Sequence, residues 1–206
     1  MSVEMLKWLR IVAPAVIIIA CVSVLGSLTG LWAISVPTDS DKITKSLGVI
    51  FLGGLYYMLP FRDISNRQYF DNVSENIRKR LLEIAGVNDD KTKYTWRKVR
   101  GIFFHFIDND KSLEKKSRLA HFNGFFWTTV ADARAICVAF SLIAFGMALM
   151  GAEHGLVAAV GFLAVALLSL PVSHWVTAAH KEIGNQQLEI IEQNFKAELR
   201  TKLDAI

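Results

Sequence analysis

Four stretches of this chain are almost free of charge, and they limit its folding more than anything else in it. Residues 11–36, 46–61 and 135–152 hold no Asp, Glu, Lys, Arg or His, and the same is true of 155–179 once His174 is set aside. At 1.5 Å of rise per residue, a hydrocarbon core of roughly 30 Å takes about 20 helical residues. The first and fourth runs are therefore long enough to span. The second is short at 16 residues, but Lys42, Lys45 and Arg62 can extend their stems along it and count as apolar length. A re-entrant segment is the alternative for "LGVIFLGGLYYMLP". Lipid leaves backbone groups no partner but one another, so the spans must be helical. The expected fold is all-α: a polytopic membrane protein with four transmembrane helices, a helical insert and a C-terminal amphipathic helix. A hydrophobic content of 52% and a mean hydropathy of +0.34 agree with that.

Orientation follows from lysine and arginine placement. With the N-terminus inside, the inner segments carry 20 basic residues, 14 of them in 62–118, and the outer ones only Lys42 and Lys45. The opposite topology would translocate the whole basic region. Lys7 and Arg10 ahead of the first run suggest a secretion signal, but that run is too long and no small-residue cleavage site closes it. It reads as a retained span. The expected plan is a first hairpin over 1–61 (spans 11–36 and 46–61), a basic cytosolic insert over 62–121, and a second hairpin over 122–180 (spans 130–152 and 155–179). A cytosolic helix over 181–206 completes it. Both termini are cytoplasmic, in a bacterial inner membrane.

The insert shows helical spacing at Phe70, Val73, Ile77, Leu81 and Ile84, with Gly86 as a stop, and again at Trp96, Val99, Phe103 and Phe106. A third helix starts near Asp110 or Ser112 and runs into the third span. In the tail, Leu188, Ile191, Phe195, Leu199 and Leu203 share one stripe. It either packs on the insert or serves self-association or a partner.

Chemistry is sparse. Cys21 and Cys137 lie within spans without CxxC spacing, the five histidines show no ligand pattern, and "DNDKSL" lacks the glycine and glutamate of a calcium loop. No phosphate loop or nucleophile elbow occurs. The sequence gives no basis for an enzyme, a metal or a cofactor. What remains is charge and small residues. Arg78, Lys79, Arg80, Arg97, Lys98 and Arg100 form a basic patch expected to face anionic lipid headgroups; direct nucleic-acid binding is disfavoured because the nearby aromatics have core-facing spacing. Gly26 and Gly30 form a GxxxG, and Gly53 and Gly54 smooth the second span, so close packing of the first two spans is expected.

Asp132 and Arg134 open the third uncharged run. The 18 residues after them cover about 27 Å, which puts the pair at the inner interface. Arg62 ends the second span there, and the antiparallel fourth span brings His174 to the same depth. These four residues form a candidate polar layer at the cytosolic mouth, either anchoring the spans or coupling them to the insert.

This plan of about 200 residues, four spans, a basic helical insert and no catalytic motif resembles the small membrane subunits of bacterial anti-phage defence systems, such as that of the Kiwa system. The resemblance implies a homo-oligomer working with a soluble cytosolic partner that acts on or binds nucleic acid. Two functional expectations follow: a non-enzymatic membrane sensor or scaffold, or an oligomeric pore that permeabilises the membrane when triggered. A transporter is less favoured, since mid-span positions offer only Ser, Thr, Gly and Cys.

Overall fold

The computed structural model describes residues 3–31 and 42–206. The expected end of the first span at Val36 and the connection after it lie outside the described residues, as do the side chains of Lys42 and Lys45. Among the described residues the regular structure is entirely helical: α1 (Val3–Thr29), α2 (Lys42–Met58), α3 (Phe61–Ala85), α4 (Trp96–Asn109), α5 (Lys111–Leu149) and α6 (Gly155–Asp204). Helices α1, α5 and α6 are each long and apolar enough to cross a membrane, while the apolar stretch of α2, Gly48–Met58, is shorter. These helices mark a membrane protein.

Contacts divide the chain into two units, Met1–Asn66 with Phe125–Ser173, and Arg67–Gly124 with His174–Ile206. Helices α3, α5 and α6 each contribute residues to both. The expected fourth span and tail helix form one helix, α6, of 50 residues. Its sequence supplies no stop: a Cβ at Gly184 would meet Ile77 only at an ordinary contact distance of 3.6 Å, and Pro171 forfeits one backbone bond, which a membrane helix tolerates.

The first unit is apolar on both its inner and outer sides. Its core contains Cys21, Leu25, Tyr56, Ile136, Met147 and Phe162, with small Ala144, Ala158 and Ala166 between helices. The rings of Phe140 and Phe162 lie 5.6 Å apart, and Ser141 Oγ donates to the Ala159 carbonyl at 2.8 Å. Its outer side is just as apolar: on α6 the exposed large side chains run from Leu156 to Val172, and on α5 Val138, Leu142, Ile143, Phe145 and Leu149 are exposed. In water this would far exceed the apolar patch a soluble monomer tolerates, so lipid is its solvent.

The glycines take different roles from those expected. At Gly53 a Cβ would lie 2.1 Å from the Ile11 carbonyl oxygen, so only glycine lets α2 approach α1 there. Gly26 is buried. Gly30 and Gly54 are not packing positions: a Cβ at either would meet nothing within 4 Å, and Gly30 adopts φ +68°, just past the last residue of α1. The GxxxG spacing arises from one buried glycine and one helix stop. Between α5 and α6, Gly151 and His154 take positive φ, and a Cβ on Gly155 would come within 2.8 Å of the Ala148 nitrogen.

The second unit has an ordinary side-chain core. Leu81, Val99, Phe106, Leu113, Leu188 and Ile191 are fully buried. Gly86, at φ +64°, ends α3, with Val87 N–H bonded to the Leu82 carbonyl, and Arg200 caps the end by donating to the Ala85 carbonyl at 2.9 Å. Asp110 starts α5 by accepting from the Ser112 and Leu113 amides, both at 2.9 Å.

Two expectations are corrected here. The stripe of Leu188, Ile191, Phe195, Leu199 and Leu203 does not form a free partner or oligomer surface. Its leucines and isoleucine are buried by the chain's own helices, and Phe195 stacks 5.3 Å from Phe106. Arg78 does not face lipid, since its side chain is 2% exposed and held by carboxylates of its own unit.

Candidate functional site

In the first unit Arg62, Asp132, Arg134, Tyr56, Ser65 and Ser173 converge on one place. The chain breaks between α2 and α3 at Leu59 and Pro60, where proline cannot continue the preceding helix. The break sets Arg62, in the first turn of α3, toward α5. Arg62 grips Asp132 with two donors, Nε to Oδ1 at 2.9 Å and Nη2 to Oδ2 at 2.6 Å. This is the bidentate fork that suits guanidinium and carboxylate best. Tyr56 on α2 adds its hydroxyl to Asp132 Oδ1 at 3.3 Å, and Arg62 Nη2 also donates to the Arg10 carbonyl of α1 at 2.8 Å. The guanidinium lies 5.1 Å from the centre of the Tyr57 ring. Asp132 is 1% exposed and Arg62 14%.

Arg134 is directed elsewhere, as its two-residue offset from Asp132 requires. Its Nε donates to Ser65 Oγ at 3.0 Å, its Nη2 to the Ser65 carbonyl, and its Nη1 to Ser173 Oγ on α6 at 3.1 Å. Ser65 Oγ in turn donates to the Ala131 carbonyl at 3.2 Å. Together, the groups bonded in this layer come from α1, α2, α3, α5 and α6. Every helix of the first unit is fixed to another by a polar bond within an otherwise apolar assembly.

Of the four residues expected in a polar layer, Arg62, Asp132 and Arg134 come together in the first unit. His174 is exposed and belongs to the second unit. Its place is taken by the preceding residue, fully buried Ser173. Helical phase separates the two: adjacent residues point about 100° apart, so a depth argument alone could not choose between them. Tyr56 and Ser65 were not anticipated. Tyr56 lies inside an apolar run and Ser65 in a polar stretch, and neither stands out until the bend at Pro60 places both beside α5.

In the second unit, Arg78 forms a separate ionic cluster. It donates to both Glu75 oxygens at 2.8 Å, pairs with Asp89 at 2.6 Å and reaches the Tyr94 carbonyl at 3.2 Å. The guanidinium holds the Glu75 and Asp89 carboxyls below the usual range, chiefly by hydrogen bonding. Lys79 and Arg80 pair with Glu75 and Glu83, at 3.9 and 3.0 Å, while Arg97, Lys98 and Arg100 are exposed. Among the described residues, no group of three or more His, Cys, Asp or Glu side chains could hold a metal. Cys21 and Cys137 are free thiols in the first unit's core.

Compared with protein-family models, curated proteins and solved structures, the chain matches none of them.

Proposed function

We propose that the protein is a non-enzymatic membrane sensor or scaffold. In this reading it is a homo-oligomer of four-span subunits in a bacterial inner membrane, with both termini cytoplasmic. It passes a membrane disturbance to a soluble cytosolic protein, and the anti-phage setting follows from the resemblance of its plan. The fourth crossing is α2 continued past its bend: Phe61 and Ile64, in the first turns of α3, are exposed apolar side chains that extend the short apolar stretch.

One observation carries the reading. The polar layer of Arg62, Asp132, Arg134, Ser65 and Ser173 ties together the lipid-facing parts of α3, α5 and α6, and those same three helices supply most of the second unit. A charge pair in low dielectric has few alternative arrangements, because breaking it strands an unpaired charge. Such a layer keeps the helices in register and transmits a shift of one to the others. The alternative, a triggered pore, would need these charges to line water, whereas here Arg62 and Asp132 hold each other and Arg134 holds Ser65 and Ser173.

Two measurements on the reconstituted protein test this. The sensor reading expects no ion flux in liposomes holding the protein alone, together with co-purification of a soluble protein from the native host. Flux from the protein alone would establish the pore instead.

A further inference from the structure

The break between α2 and α3 opens a cavity of about 140 Å³ lined by Tyr57, Leu59, Arg62 and Asp63. The polar layer does not use all of Arg62. Its Nε and Nη2 make the bonds to Asp132 and to the Arg10 carbonyl. Nη1, with two N–H donors, makes none among the described residues. Asp63 is exposed and enters no hydrogen bond or ion pair among the described residues, and the Tyr57 hydroxyl enters no hydrogen bond there either. Other exposed acids of the chain do find bases: Glu4 with Lys7, Glu114 with Arg118, Asp204 with Arg200. Arg62 and Asp63 do not satisfy each other, because adjacent helical residues point about 100° apart. The cavity thus carries unused donors and an unused carboxylate.

Its surroundings suit a lipid headgroup. Leu55, Met58, Phe61 and Ile64, on both sides of the break, are exposed apolar side chains. Trp8 is exposed as well, two residues ahead of Arg10, whose carbonyl Arg62 holds. An exposed tryptophan next to a lysine, here Lys7, marks the membrane–water boundary. The cavity therefore opens where acyl chains give way to headgroups.

Charge selects among those headgroups. The Arg62 cation is already matched by Asp132, so the cavity offers hydrogen-bond donors without surplus positive charge, together with one free carboxylate. A headgroup that is only anionic leaves Asp63 without a partner and is repelled by it. Phosphocholine brings a cation that has no N–H donor. Phosphoethanolamine supplies both halves: phosphate oxygens for Arg62 Nη1 and the Tyr57 hydroxyl and, one ethylene link away, a primary ammonium for Asp63.

We propose that this cavity binds a phosphoethanolamine group carried by a lipid of the surrounding leaflet. The inference needs only that the first unit lies in lipid, so it stands or falls apart from the sensor reading.

The test offers full-length protein in detergent equimolar phosphatidylethanolamine and phosphatidylglycerol of one acyl composition and counts retained lipid by native mass spectrometry. The expected result is one phosphatidylethanolamine retained per chain in preference to phosphatidylglycerol. Asp63→Asn should lower that preference about threefold, and Asp63→Lys should reverse it. Asp71→Lys, the same charge change at another exposed acid of α3, should leave it as it was. Because Asp63 bonds nothing in the fold, circular dichroism of Asp63→Asn should match that of the unsubstituted protein. Equal retention of the two lipids, or a preference that both Asp63 variants leave intact, overturns the site; so does a loss that Asp71→Lys reproduces. Excess water-soluble phosphoethanolamine is the second arm. Lipid retained in its presence supports a lipid as the source, whereas lipid displaced by it shows that the site takes the soluble ester and overturns the lipid.

Discussion

In the first unit the carboxylate is the hidden partner of the ion pair, with Asp132 at 1% exposure and Arg62 at 14%; in the second it is the arginine, with Arg78 at 2% and Glu75 and Asp89 at 39% each. The chemistry is the same, and the surroundings differ. Around Asp132 both oxygens are already engaged and the outer surface is apolar, so the carboxylate has no water to turn to. Around Arg78 the carboxylates remain at the surface. A buried charge costs most when its last partner is removed, so the two pairs should respond unequally to the same substitution.

Asp132→Ala strands the Arg62 guanidinium and should give the largest effect, about 3–5 kcal/mol of stability, read as the thermal midpoint in detergent. Equal losses for Asp132→Ala and Glu75→Ala would break the comparison. Next is Gly53→Leu, which drives a side chain into the Ile11 carbonyl and should cost about 1–3 kcal/mol; an unchanged midpoint would mean that α1 and α2 do not approach so closely. Gly86→Ala places a Cβ at φ +64° and should cost about 1 kcal/mol, with the loss confined to unfolding of the second unit.

The pH dependence is expected to be smaller still. Glu75 and Asp89 have folded pKa values below their unfolded values, which are near 4. Their contribution is thus present at neutral pH and is lost as pH falls through about 4 and below. Circular dichroism melts near pH 7 and pH 3 should show this loss, and Arg78→Met should remove that part of it.

The apolar runs were legible in the sequence because lipid demands length and freedom from charge, and α1, α5 and α6 carry both properties openly. Asp132 and Arg134 stood out for the same reason, as charges beside such a run. Their partners were harder to find. Ser173 and His174 are neighbours at the same depth, and only helical phase decides which turns inward. The tail stripe was visible as a stripe, but periodicity alone does not tell whether Leu188 and Leu199 meet their own chain or another. Arg78 looked like any member of a basic run, yet its burial depends on Asp89 and Tyr94 folding back across a turn. Deleting the tail from Gly184 onward would remove core leucines, so it would unfold the second unit and not isolate a docking face.

The central claim is that the polar layer couples the lipid-embedded helices to the second unit. It is tested most directly by hydrogen exchange on full-length Asp132→Asn in nanodiscs, compared with the unsubstituted protein. Coupling requires faster exchange in α6 beyond His174, around Phe195 and Leu199, as well as near position 132. Faster exchange confined to the neighbourhood of position 132, with α6 from 174 onward unchanged, would contradict it and leave Asp132 as an anchor alone.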